Sequence, residues 1–471
     1  MGNEASPRIR SKAEVVADIA ARLERLPFTR YQLILFTVIA TAWFFDSIDL
    51  GAITFLLGPI RSEFHLTTAA AGGLSSMSFI GMCLGAGLAG IAADRFGRMT
   101  VFQVSMFFWG AGSILCGLAP SLRMLMLARA VVGFGMGMEF PIAQAIASEL
   151  VPKNHRGKGI AILEGFWPLG FIAAGVVALF FVSRLGWRGV FILEGVPAAF
   201  VFIVRRVIPE SPRWLADHGD YFEAEESMRT IESNVEKRLK NKTLPPPVIA
   251  TQVKEGPPRA AWTFLDLWAP QYRPTTTMLW LLWFFALLGF YGLTTWLNTL
   301  VQRSWYPYSM SVKFTLWISC AGIVGFIAAA LLIERMGRRW LCIAALVGSA
   351  VAAFFYGTAS NEPTLWCFGL FMQFFLFAMW SVLYAYTAEL YPTHARATGA
   401  GFASAVGRVG SLLGPFIVGI ILPKVGEAGV FALGALCFLA AAFSVLIFGQ
   451  ESRLKALEDI APTGSDRQVL R

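Results

Sequence analysis

Apolar runs alternate with short charged segments along nearly the whole chain. A transmembrane helix needs about 20 consecutive apolar residues. Twelve stretches meet that length and predict twelve spanning helices, with cores at 33–57, 69–93, 100–119, 124–147, 160–182, 189–204, 276–298, 314–333, 341–359, 364–387, 399–422 and 428–448. The expected fold is therefore an all-α membrane protein.

Charge sharpens that pattern. Of the 69 charged residues only seven lie inside the apolar cores: Asp46, Asp49, Arg129, Glu139, Glu164, Glu194 and Arg408. Only 15% of the chain is charged, against about 25% in an average soluble domain. The net charge of +9 is not a nucleic-acid signal. With the N-terminus placed in the cytoplasm, 30 Lys and Arg fall on that side and seven on the other. That bias predicts both termini inside. The first apolar run is too long for a signal peptide. The six cysteines sit in apolar runs without a CxxC and read as small hydrophobes.

The chain divides 6 + 6 around a charged, proline-interrupted segment. The expected organisation is a cytoplasmic N-terminal segment 1–30, a six-helix bundle 31–208, a linker 209–273, a second bundle 274–448 and a cytoplasmic tail 449–471. Residues 211–240 of the linker suit short amphipathic helices. The halves repeat at a constant offset of 240. Asp94-Arg-Phe-Gly-Arg98 returns as Glu334-Arg-Met-Gly-Arg338, Ser148-Glu-Leu-Val-Pro152 as Ala388-Glu-Leu-Tyr-Pro392, and Trp43-Phe-Phe45 as Trp283-Phe-Phe285. An even number of spans per half makes these parallel repeats, as in a class of secondary transporters.

These motifs resemble the major facilitator superfamily. Gly90-Ile-Ala-Ala-Asp94-Arg95-Phe-Gly97-Arg98 matches its loop 2–3 signature, and Arg129-Ala-Val-Val-Gly133-Phe-Gly135-Met-Gly137 the fourth-helix pattern of proton-coupled members. Pro209-Glu-Ser-Pro-Arg-Trp-Leu215 looks like the segment after helix 6 in sugar porters and organic ion transporters. Four further segments resemble niacin transporters and their relatives among organic ion transporters and synaptic vesicle glycoproteins. They are Trp43–Asp49, Leu163-Glu-Gly-Phe-Trp167, Leu383–Glu389 and Gly407-Arg-Val-Gly410. The resemblance implies two pseudo-symmetric bundles working by alternating access. It also implies an inner (cell) membrane location and a small aromatic carboxylate as substrate, nicotinate first. A sugar or organic cation remains the alternative, and a non-transporting receptor a weaker one.

A charge in lipid costs at least about 2.5 kcal/mol, so each needs a compensating role. Asp46 and Asp49 stand three apart on one helix face, opposite Ala286 and Gly289 in the repeat. They are candidate proton carriers, with Glu139, Glu164 and Arg129 the other members of that set. Arg408, aligned with Pro168, is the candidate carboxylate ligand, because a guanidinium fork matches a carboxylate. An ion pair between Arg408 and Glu164 is the competing reading. Tyr291, Asn298, Gln373, Trp380, Tyr384 and Trp167 are candidates for lining the substrate site. Resemblance puts spans 1, 4, 7 and 10 around the cavity. Duplicated charges are expected as gating pairs: Asp94, Arg95, Arg98, Glu149 and Arg156, with Glu334, Arg335, Arg338, Glu389 and Arg396 in the second half. No histidine lies mid-span, so a histidine relay is excluded. No metal spacing, nucleophile elbow or Walker loop occurs. The expected protein is not an enzyme and needs no cofactor or metal. Its partners are a small carboxylate, protons and lipid, with no nucleic acid, and a monomer is expected.

Overall fold

A computed structural model describes residues 12–150, 156–239, 244–247, 266–391 and 396–451. No strand occurs among the described residues. The helices in order are α1 (Lys12–Glu24), α2 (Arg30–Glu63), α3 (Thr68–Phe96), α4 (Arg98–Leu118), α5 (Leu122–Leu150), α6 (Arg156–Gly195) and α7 (Val201–Val207). Then come α8 (Pro212–His218), α9 (Tyr221–Glu236), α10 (Arg273–Ser304), α11 (Tyr308–Met336), α12 (Arg338–Gly357), α13 (Glu362–Glu389) and α14 (Arg396–Phe448).

Among the described residues, ten helical stretches are long and apolar enough to cross a membrane. Two of them, Ile162–Val207 and Thr398–Phe448, run 46 and 51 residues, about twice one span. Each breaks at a glycine with positive φ, Gly186 at 65° and Gly426 at 67°. These glycines are 240 residues apart and fall in the polar gaps of the hydropathy pattern. Divided there, the ten stretches become twelve.

The same offset governs the sharp turns between paired helices. Gly97 (φ 90°) joins α3 to α4, and Gly337 (φ 85°) joins α11 to α12. In the first, Glu210 accepts from the backbone N–H groups of Arg98 and Met99. In the second, Glu451 accepts from that of Arg338. Each carboxylate satisfies donors that a helix start leaves free and faces the positive end of its dipole. A side chain at either glycine would collide with that carboxylate.

The glycine pattern at 133–137 also has a packing explanation. Gly133 and Gly137 lie against the α3 backbone at Ser78 and Met82, and Gly135 lies against α4 at Ser105 and Trp109. Alternate glycines thus let α5 touch two neighbours at once.

The two bundles meet at the end remote from the termini. Tyr308 Oη donates to Phe55 O at 3.2 Å, and Ser76 Oγ to Leu412 O at 2.7 Å. Gly72 of α3 and Gly419 of α14 approach so closely that a Cβ on Gly72 would lie 2.5 Å from Pro415 O. Toward the other end the same helices separate, and a Cβ on Gly87, Gly90 or Gly401 would meet nothing within 4 Å.

Outside the spans, the linker forms α8 and α9, and α1 docks on both. Arg22 pairs with Glu225 and with Glu232, each at 2.6 Å, and Arg213 with Glu24 at 3.5 Å. Arg25 also pairs with Glu232. Ile19 is buried beneath these pairs. Trp214 of α8 donates to Asp94 O at 3.0 Å, fixing the linker to the first bundle.

Candidate functional site

Between the bundles lies a narrow cleft. Both halves wall it. Asp46 comes from α2, Glu164 and Trp167 from α6, Tyr291 from α10, Trp380 and Tyr384 from α13, and Arg408 from α14. The walls are aromatic. Trp380 stacks on Tyr384 with centroids 5.8 Å apart, and Tyr384 stacks on Phe140 at 6.4 Å. Tyr291 meets Trp380 at 6.3 Å, and Trp167 meets Trp380 at 6.0 Å.

Arg408 is the cation of this cleft. Its guanidinium lies over the Phe140 ring at 4.8 Å and touches Met82 Sδ at 3.9 Å. No carboxylate among the described residues comes within ion-pair distance of it. Glu164 instead accepts from Gln144 Nε2 at 2.7 Å. The competing Glu164–Arg408 ion pair is therefore absent in this conformation. A desolvated guanidinium with only a ring and a thioether for company favours an arriving anion. Asp46 also faces the cleft, and its Oδ1 has no donor.

Asp49, although three residues from Asp46, belongs elsewhere. It is fully buried inside the first bundle, paired with Arg129 at 2.6 Å and hydrogen-bonded by Ser113. Glu139 is equally buried and accepts from Trp109 Nε1 at 2.9 Å. Both oxygens of Glu194 lack partners. One helical turn thus separates a cleft-facing acid from a bundle-facing one, and the bundle-facing acids form a polar interior away from the cleft. Asn298 and Gln373 do not line the cleft. Asn298 is buried with its Oδ1 3.5 Å from Thr315 Oγ1, and both amide atoms of Gln373 are buried without partners.

Among the duplicated charges, Arg338 pairs with Glu334 at 2.7 Å and Glu389 at 3.0 Å, all within the second half. Arg98 contributes its backbone N–H to Glu210. Asp94, Arg95 and Arg335 are exposed, with Arg95 over the Phe96 ring at 5.3 Å. The side chains of Glu149, Arg156 and Arg396 lie outside the described residues. The cysteines differ from one another. Cys116, Cys342 and Cys437 are buried, whereas Cys367 is exposed.

Several contributors escaped sequence reasoning. Trp43, Met82, Phe140, Phe326 and Phe377 line the cleft. Among 40 Phe, nothing in spacing marks the few that face a cavity. The caps Glu210 and Glu451 were detectable in principle, because they stand 241 residues apart beside duplicated glycine turns.

Residues 35–463 match the sequence model of the family described as Sugar (and other) transporter. A niacin transporter, NiaP, of Acinetobacter baylyi is 36% identical over 446 residues, covering 94% of this chain and 99% of its own. A putative niacin/nicotinamide transporter, NiaP, of Bacillus subtilis is 31% identical, covering 89% and 96%. The inward-open xylose transporter XylE of E. coli superposes with a TM-score of 0.71 at 19% identity, over 91% of this chain and 99% of that one.

Proposed function

Because the chain belongs to the sugar (and other) transporter family of the major facilitator superfamily, we propose that it is a proton-coupled symporter for a small aromatic carboxylate, nicotinate first. It is an integral, multi-pass membrane protein of all-helical fold. The observation that carries the substrate class is the unpaired Arg408 guanidinium in an aromatic cleft between the bundles. A carboxylate pairs with the fork while its ring packs among Phe140, Tyr291, Trp380 and Tyr384. The likeness to proteins named as niacin transporters supports the same choice.

Asp46 and Glu164 supply the proton-binding side of the cleft. Substrate on Arg408 removes the positive charge that favours ionised acids nearby, so anion and proton enter as a set. Asp49, Arg129 and Glu139 act behind this site as a buried polar core that transmits the charge state to α2 and α5. Transport proceeds by rocking of the bundles. The present conformation is closed at the end remote from the termini, the outer end under a cytoplasmic assignment of both termini.

Uptake into proteoliposomes tests the reading directly. Nicotinate should accumulate under an inward proton gradient, and collapsing the gradient should abolish accumulation. Uptake no greater than that of Arg408→Ala would sink it. Competition by tetraethylammonium or a hexose, but not by nicotinate, would point instead to the cation or sugar reading.

A further inference from the structure

The cleft contains polar atoms that carboxylate binding alone leaves unused. The indole N–H groups of Trp380 and Trp43 both lack an acceptor. Both side chains line the cleft with Arg408. An unmade hydrogen bond at a buried donor is unfavourable, and a site built around such a donor gains by receiving an acceptor.

The two tryptophans are not equivalent. Trp43 is 1% exposed and packed against Phe140 at 4.4 Å, so substrate does not displace it. Trp380 is half-buried at the cleft surface and stands between Tyr291, Tyr384 and Trp167, which come from three helices. A substrate ring packed on Tyr291 or Tyr384, rather than on the face of Trp380, can turn its edge to the in-plane N–H. A ring nitrogen keeps its lone pair in that edge. A ring C–H at the same place has nothing to accept with.

We propose that the Trp380 N–H reads a hydrogen-bond acceptor on the substrate ring, so that the cleft selects heteroaromatic carboxylates over carbocyclic ones. This rests on the carboxylate reading above and adds a second pole to it. Arg408 holds the acid group and Trp380 the ring heteroatom. Trp380 is then a specificity determinant. Sites that hydrogen-bond a substrate group reject the analogue lacking it far better than apolar pockets reject a size change.

The test is equilibrium competition on the full-length protein in nanodiscs, with radiolabelled nicotinate displaced by unlabelled nicotinate or benzoate. These acids share shape and charge and differ at one ring atom. The expected result is benzoate at least tenfold weaker. Trp380→Phe keeps an aromatic ring and removes the N–H. It should weaken nicotinate about tenfold more than it weakens benzoate and so erase the preference. Equal binding of both acids to the wild type, each lost in Arg408→Ala, would leave the carboxylate reading standing and overturn the role of Trp380. Equal weakening of both acids by Trp380→Phe would overturn it too, since packing alone does that. Binding of neither acid to the wild type removes the carboxylate reading and this proposal together. The wild-type ratio needs no variant, so poor folding of Trp380→Phe does not leave the matter open.

Discussion

Arg408 and Asp49 show how position changes what a buried charge does. Arg408 is 8% exposed and has no carboxylate within ion-pair distance among the described residues, so its charge is available to a ligand. Arg408→Ala should cut nicotinate uptake at low concentration by about 10- to 100-fold, the equivalent of losing a hydrogen bond to a charged group worth roughly 1.5–3 kcal/mol. The fall should appear mainly in KM if Arg408 binds the ground state. Arg129, by contrast, is fully buried and already paired with Asp49 at 2.6 Å. Asp49→Leu strands its guanidinium in the bundle and should destabilise by about 3–5 kcal/mol. Thermal unfolding in detergent measures this, and Asp49→Leu combined with Arg129→Met should recover much of the loss. Sequence spacing placed Asp46 and Asp49 together because residues three apart share a helix face. It does not fix where the boundary between cleft and bundle interior cuts that face. The rotation of α2 against its neighbours decides it, and that is a property of packing.

At the scale of elements, two contacts have consequences that labelling and proteolysis can read. Glycines at 72 and 419 bring α3 and α14 together, and the Cβ clashes there involve backbone, which cannot swing aside. Gly72→Val should hold the outer ends of α3 and α14 apart. A cysteine placed at Ser76, whose hydroxyl bonds Leu412 O in the closed arrangement, should then react faster with an impermeant maleimide from outside. Unchanged reactivity would mean the closed contact survives the extra bulk. The second contact is the docking of α1. Burial opposes ionisation of Glu232, but hydrogen bonds from Arg22 and Arg25 outweigh it and hold the carboxyl below its ordinary range. Glu225 behaves alike through Arg22 and Arg229. A depressed carboxyl contributes stability above its unfolded pKa of about 4.3 and loses it as pH falls through the folded value. Protease cleavage within α1 should therefore be slow at neutral pH and accelerate below about pH 4. In Arg22→Ala it should be fast at both. The helices α3, α14, α8 and α9 were legible from hydropathy and the 211–240 pattern, whereas α1 was not, because segment 1–30 reads as polar and basic. The docking was not, because ion pairs some 200 residues apart leave no local periodicity.

Across the whole molecule, the repeat at 240 residues is the most informative thing the chain carries. It aligns the turns at Gly97 and Gly337 and the breaks at Gly186 and Gly426, while the caps Glu210 and Glu451 fall one residue out of that register, 241 apart. The features outside the repeat, Asp46, Glu164 and Arg408, meet in a cleft that the two copies wall together. A duplicated frame with unduplicated charges at its centre is what alternating access requires, since the frame must rock symmetrically while the ligand is asymmetric. The cleft's full lining was not legible, because it depends on how two bundles approach. The distribution of basic residues, 30 against seven, predicts the orientation, and it can be tested together with the direction of opening. Gly401 has open space around a would-be Cβ at the separated end of α14. In a variant whose exposed Cys367 is replaced by Ser, Gly401→Cys should react with an impermeant maleimide in inside-out vesicles and not in right-side-out ones. Nicotinate with an acidic interior should slow that reaction as the bundles close over the ligand. Labelling from the outside would reverse the orientation, and a rate indifferent to substrate would separate binding from the rocking motion.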